Sequence, residues 1–218
     1  MKNVVIHYHE LALKGRNREF FERRLIQNIR SSLRDLHITR IESLRSRIRI
    51  ALPPEADNQQ VVDRLRRVFG IANFLFAEAV ELDLGSPNLD VLAGRIGTAL
   101  VHRTFESFRV TARRADKRLP LTSMDVERAV GAYLHRVTGK KVQLKNPDLT
   151  VYVHLLTKEA YFSLEKIEGP GGMPVGVSGT VACLISGGID SPVAAYRMVK
   201  HGCNAVFVHF SGRPLVSR

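Results

Sequence analysis

Ser186, Gly187, Gly188, Asp190 and Ser191 lie between an apolar run, Val181–Ile185, and a helical pattern with Pro192 in its first turn. Glycines let a backbone come close to a ligand, hydroxyls add donors, and a helix start presents unpaired N–H groups with a partial positive charge. Such a turn is a cradle for an anion, above all a phosphate. It is not a Walker A loop, because the sequence has no Gly-x-x-x-x-Gly-Lys-[Ser/Thr] and so no lysine to reach toward a γ-phosphate. The competing reading is a glycine-rich turn that merely opens a helix, and the strand patterns on both sides count against it. In an open parallel sheet a ligand lies beyond the carboxyl ends of the strands. Leu184 and Ile185 at the end of one strand, and His209 and Phe210 at the end of the next, are therefore expected to flank a nucleotide. For Phe210 and the strand residues, plain core packing is the alternative.

Two basic segments form the second candidate site. Lys14, Arg16 and Arg18 surround a glycine just before a helix, where side chains and helix-start amides alike suit phosphate contact. Arg113, Arg114 and Lys117 sit at a strand end that leads into Leu119-Pro120. Their weight comes from the whole chain: 218 residues carry a net charge of +12, and residues 1–50 hold twelve Lys/Arg against five Asp/Glu. An excess of this size points to a polyanionic partner, with nucleic acid the first choice. Aromatic content is 7% and tryptophan is absent, which argues against stacked single-stranded bases and for a folded RNA read by shape and phosphates.

Other chemistries find little support. Cys183 and Cys203 are too few for a disulfide framework and form no metal pattern, and each reads as a small buried hydrophobe within or beside a strand. No apolar run approaches the ~20 residues that span a bilayer, so the expectation is a cytoplasmic protein with no membrane partner, no signal peptide and no bound metal of its own.

The elements that must position these residues are legible in the spacing. Val4–Tyr8 reads as a strand, followed by a helix with the stripe Phe21, Leu25, Ile29, Leu33 and an opposite face of Arg16, Arg23, Arg30 and Arg34. Strands follow at 38–44 and 47–52, the second turning Ile48, Ile50 and Leu52 inward and Arg47 and Arg49 outward. A helix through Val61, Val62, Leu65 and Val68 closes at Gly70, and a strand runs from Asn73 to about Leu82. The order β-α-β-β-α-β is the ferredoxin-like split pattern.

Ser86-Pro87 is expected to start the next helix, burying Leu89, Leu92, Ile96 and Leu100, before a strand at 107–113. Thr122 with Asp125 forms a capping box for a helix that buries Val126, Val130, Leu134 and Val137 and ends at Gly139. Strands at 141–144, 149–156 and 160–167 complete an α/β unit. Glu168 to Gly176, with four glycines and two prolines in nine residues, is the clearest linker. Beyond it, strand, loop, helix and the strand 205–210 make one βαβ unit of a parallel sheet buried on both faces. The expected division is 1–75, 76–167, the linker 168–177, and 178–218.

In this order, the pieces resemble the tRNA 4-thiouridine synthetase (tRNA sulfurtransferase, ThiI) family over the whole chain. Glu10-Leu-Ala-Leu-Lys-Gly-Arg-Asn-Arg matches the family's opening, and Arg113-Arg-Ala-Asp-Lys-Arg-Leu-Pro with Val130-Gly131 matches its THUMP domain. Gly171-Gly-Met-Pro-Val-Gly and Leu184-Ile-Ser-Gly-Gly-Ile-Asp-Ser-Pro-Val-Ala match its linker and the PP-loop of the ATP-pyrophosphatases. The resemblance implies a ferredoxin-like domain and a THUMP domain that bind tRNA, followed by the start of a PP-loop domain. It further implies that ATP adenylates uridine 8 and that a persulfide delivers sulfur. Mg2+ would accompany the ATP, a cysteine desulfurase would be the donor, and the assembly would be a homodimer with a link to thiamine thiazole. By matching position, Asp190 would support adenylation and its loop neighbours would bind ATP. The family's sulfur-handling cysteine falls beyond residue 218, so the chain is expected to be a fragment of a longer protein or a short form without the chemistry. A non-catalytic RNA-binding module is the alternative from another class, and an intact PP-loop counts against it. A PP-loop enzyme acting on another base is a third reading, which the THUMP-like segment disfavours.

Overall fold

A capping box and a left-handed glycine delimit the best-defined helix of the protein. In the computed structural model, which describes residues 2–8, 17–44, 47–82, 89–114, 120–156 and 159–211, helix α4 spans Ser123–Thr138. Thr122 Oγ1 accepts from the Asp125 N–H at 3.1 Å, Asp125 Oδ2 accepts from the Thr122 N–H at 2.8 Å, and Gly139 ends the helix at φ 68°. The Thr122 hydroxyl, which donates to Asp125 Oδ2 at 2.7 Å, and then the Thr122 N–H hold the Asp125 carboxyl below its usual range. Thr122→Ala is expected to lower unfolding stability by about 1 kcal/mol, readable as a drop in thermal midpoint.

The other elements are strands β1 (Lys2–His7), β2 (Arg40–Leu44), β3 (Arg47–Leu52), β4 (Asn73–Glu81), β5 (Ser107–Arg114), β6 (Lys141–Val142), β7 (Leu149–Leu155), β8 (Glu159–Ser163), β9 (Ile167–Glu168), β10 (Thr180–Leu184) and β11 (Asn204–Val208). Helices α1 (Arg18–Ser32), α2 (Asn58–Leu65), α3 (Leu89–Leu100) and α5 (Asp190–Lys200) complete the set. The chain divides into two compact units, one of Met1–Val5, Arg49–Pro54 and Leu75–Ile167, the other of Ile6–Ile48, Glu55–Phe74 and Glu168–Arg218.

In the first unit the strands run β3-β1-β4-β8-β7-β5-β6. β5 lies parallel to β7 and β6, whereas β7–β8 and β8–β4 are antiparallel. One sheet face buries Phe108, Val110, Val151, Val153 and Phe162 against Leu92 and Ile96 of α3 and Val126, Val130 and Leu134 of α4. Val137 is 51% exposed rather than buried, because the apolar stripe of α4 ends one turn before its cap. The expected strand 141–144 stops at Val142. There the chain turns through Asn146 at φ 48°, with the Gln143 amide donating to the carbonyls of Lys145 and Asn146. The expected strand 160–167 is split at Ser163, whose hydroxyl donates to the Glu165 carbonyl at 2.9 Å. The expected start at Ser86-Pro87 lies outside the described residues.

In the second unit the ends of the strands follow β2-β3-β1-β4, the order of the ferredoxin-like fold, with α1 and α2 packed together. Leu25, Ile29 and Leu33 are fully buried, Phe21 is only half-buried, and Glu22 takes the inner place at the helix start. Arg47 is buried instead of turned outward, as the face of β3 opposite Ile48, Ile50 and Leu52 is covered too, with Ala51 buried on it. β10 and β11 pair in parallel, Cys183 opposite Phe207, and both cysteines are buried. Burial on both sheet faces does not follow: Leu184, Val206 and Phe207 are exposed, because two strands with the single helix α5 cover little of each other.

Residues 169–178 behave differently from a tether. The Gly169 N–H donates to the Ala72 carbonyl, the Gly171 N–H to Ile71, and the Gly171 carbonyl accepts from Gly70, all at 2.8–2.9 Å. Farther on, the Met173 N–H donates to the Lys200 carbonyl and the N–H groups of Gly176 and Ser178 to that of Gly202. Met173 is buried, and Phe69 meets Tyr196 of α5 edge to face at 5.2 Å. Gly169 and Gly172, part of the stretch that reads as a linker, are among the residues that permit this close approach. No helix among the described residues is long and apolar enough to cross a membrane.

Candidate nucleotide loop and basic surface

The loop 185–191 begins where β10 ends. The Ile185 N–H donates to the Val208 carbonyl at 2.8 Å, and His209 Nδ1 donates to the Ile185 carbonyl at 2.9 Å, since a carbonyl only accepts. These bonds tie the two strand ends together, so Leu184, Ile185 and His209 lie at one edge. Phe210 is 79% exposed.

Within the loop the hydroxyls set the shape. Ser191 Oγ accepts from the Ser186 N–H at 3.2 Å and lies 3.3 Å from Ser186 Oγ, which in turn accepts from the Gly188 N–H at 3.3 Å. A Cβ on Gly187 would meet nothing within 4 Å, and one on Gly188 only Ser186 Oγ, among the described residues. A side chain at either position would fill that open space. No side chain caps α5 at Ile189, so its first-turn N–H groups keep their donor capacity and the helix dipole faces the same space. Asp190 is the first residue of α5 and is exposed. Open room, amide donors and two hydroxyls fit the phosphates of a nucleotide.

The basic residues fare unevenly. Lys14, Arg16 and Lys117 lie outside the described residues. Arg113 is exposed at the end of β5, whereas Arg114 is half-buried and its Nη1 donates to the Leu121 carbonyl at 3.1 Å. Arg18 also points inward: its Nη2 donates to the Tyr8 hydroxyl at 3.3 Å and its Nε lies 3.8 Å from Glu22, to which Tyr8 donates at 2.9 Å. Burial, with Glu22 beside it, pushes the Tyr8 phenol up to about 12. Arg18 thus anchors β1 to α1, which a basic residue near a helix start does not disclose. On α1, Arg23 and Arg30 are exposed, as is Arg34 just beyond its end. Sequence reasoning missed Asn28, whose amide donates to the Val175 carbonyl at 3.1 Å, because a polar residue on a helix gives no sign of what lies against it.

Three family models match successive stretches of the chain: the ThiI ferredoxin-like domain over residues 3–74, the THUMP domain over 88–165, and Thiamine biosynthesis protein (ThiI) over 176–218. The chain is 41% identical over 210 residues to a probable tRNA sulfurtransferase of Thermus thermophilus, a match covering 96% of this chain and 50% of that protein. It is 40% identical over 218 residues to one of Brevibacillus brevis, covering 98% and 53%. The chain spans about half the length of the curated relatives it matches. Among solved structures, PH1313 of Pyrococcus horikoshii superposes with a TM-score of 0.83 at 30% identity, covering 99% of this chain and 70% of that one. A 4-thiouridine synthetase in complex with RNA and bound ATP gives 0.77 at 27% identity, covering 100% and 55%.

Proposed function

The chain belongs to the tRNA sulfurtransferase family, and we propose that it serves an ATP-dependent synthesis of 4-thiouridine at uridine 8 of tRNA. The observation that carries this reading is the uncapped start of α5, set beside Gly187 and Gly188 at the carboxyl ends of two parallel strands. ATP supplies the adenylyl group that makes the uridine oxygen a leaving group, with pyrophosphate released. The N–H groups of the α5 first turn and the hydroxyls of Ser186 and Ser191 hold the β and γ phosphates and take up the charge that grows on them. Leu184, Ile185, His209 and Phe210 flank the base, with strand-end backbone groups reading its edge. Asp190 supports the adenylation step, in company with Mg2+.

RNA binding falls to residues 1–75 and 76–167, through Lys14, Arg16, Arg113 and Lys117, while Arg18 and Arg114 shape the surface from within. Sulfur arrives as a persulfide from a cysteine desulfurase in the cytoplasm, the working form is a homodimer, and the same sulfur relay serves thiamine thiazole. Neither Cys183 nor Cys203 fits the sulfur-handling role, since both thiols are buried and Cys203 Sγ donates to the Ser178 carbonyl at 3.6 Å. The test is to incubate the full gene product with unmodified tRNA, Mg-ATP, a cysteine desulfurase and cysteine, and to follow near-ultraviolet absorbance of the RNA. Thiouridine should appear only with ATP, and Cys183→Ser and Cys203→Ser should retain it. ATP-independent product, or no product from an intact enzyme, would remove the reading.

A further inference from the structure

We propose that residues 169–178 act as a rigid strap that sets the position of the nucleotide loop against α1 and α2, and that Gly172 and Asn28 are positioning residues for the reaction. The inference rests on the function proposed above. Ten extended residues can reach roughly 30 Å, ample for a loose tether. Here the segment is instead bonded at one end to Gly70, Ile71 and Ala72, which follow α2, and at the other to Lys200 and Gly202, which close α5. Asn28 on α1 grips it in the middle through the Val175 carbonyl.

Two glycines make the fit unforgiving. A Cβ on Gly169 would lie against the Ile71 carbonyl oxygen, and one on Gly172 against that of Lys200, both far inside van der Waals contact. Gly172 also sits at φ +74°, a conformation that strains any L side chain. At both positions the obstacle is backbone, which does not swing aside.

The place of the strap on α5 gives it leverage. It holds the carboxyl end of an 11-residue helix whose amino end carries the nucleotide loop. Such a helix is roughly 16 Å long, so a tilt of about 10° at the held end moves the loop by about 3 Å. Displacements of about 1 Å between reacting groups cost up to about 100-fold in rate, while binding tolerates them. Arg23 and Arg30 on α1 belong to the same unit, so the strap fixes the loop relative to a candidate RNA surface as well.

The experiment measures kcat and KM for ATP and for tRNA in the full gene product bearing Gly172→Ala or Asn28→Ala. Gly172→Ala should lower kcat by about tenfold or more with both KM values within about threefold, and Asn28→Ala should give a smaller fall of the same kind. If circular dichroism shows Gly172→Ala unfolded, Asn28→Ala decides alone. Raised KM with kcat intact, or both parameters unchanged in the folded variants, would overturn the proposal. A wild-type enzyme that makes no thiouridine removes the proposed function and the strap's role with it. An active wild type with unaffected variants removes the strap's role only.

Discussion

Replacing Asp190 with alanine in the full gene product is expected to lower ATP-dependent thiolation by roughly 100-fold or more, with tRNA affinity within about threefold of wild type. The split follows from where the residue sits. Asp190 opens α5 and is exposed, so its removal takes away no buried packing. A carboxylate in the first turn is modestly favoured by the helix dipole, which limits the effect on stability to about 1 kcal/mol or less. RNA grip is assigned to basic residues elsewhere in the chain. Thiouridine yield and filter-bound tRNA, measured on the same preparation, separate the two effects. Retained thiolation would take Asp190 out of the reaction. Joint loss of thiolation and tRNA binding would mean that the loop holds the RNA-binding surface together.

The second large effect concerns salt. Phosphate contacts release counterions, and each lost contact flattens the slope of log K against log salt by about 0.7 to 0.9. Lys14→Ala, Arg16→Ala and Arg113→Ala combined should therefore flatten the slope by about 2 and weaken binding across all tRNA sequences alike. Arg114→Ala should leave the slope almost untouched, since its guanidinium serves the Leu121 carbonyl, and should instead loosen the turn into α4. An unchanged slope in the triple variant would move the RNA site to other residues, such as the exposed arginines of α1. Sequence dependence of the loss would point to base reading instead of phosphate contact.

What the sequence discloses is local, and what it hides is contact between distant segments. The limits of α4 can be read because Thr122, Asp125 and Gly139 act within one turn of where they stand. The anion loop is legible for the same reason, with strand, glycines, hydroxyls and helix start all contiguous. The fate of each arginine is not. Arg18 and Arg114 carry the charge pattern of a phosphate grip, yet each is tied to a protein oxygen by a neighbour that periodicity does not identify. Phe210 looks apolar enough for a core but lies exposed beyond its strand. Most of all, Gly169 and Gly172 read only as parts of a linker, because the carbonyls they press against belong to Ile71 and Lys200, far away along the chain in one direction and nearly thirty residues in the other.

The way the strap closes on Ala72 bears on how such a gene can be rearranged. The chain leaves the second unit after Phe74 and re-enters it at Glu168, and the two passages are joined by the bond from the Gly169 N–H to the Ala72 carbonyl. The stretch between these two passages holds the THUMP match. Recombination that swaps or lengthens this stretch leaves the bond in place as long as the breakpoints fall inside it. A crossover within 169–178 is another matter, since it parts glycines from the two carbonyls they were fitted to. Inheritance should therefore treat the ferredoxin-like and nucleotide-loop segments as one linked trait, although almost a hundred codons separate them.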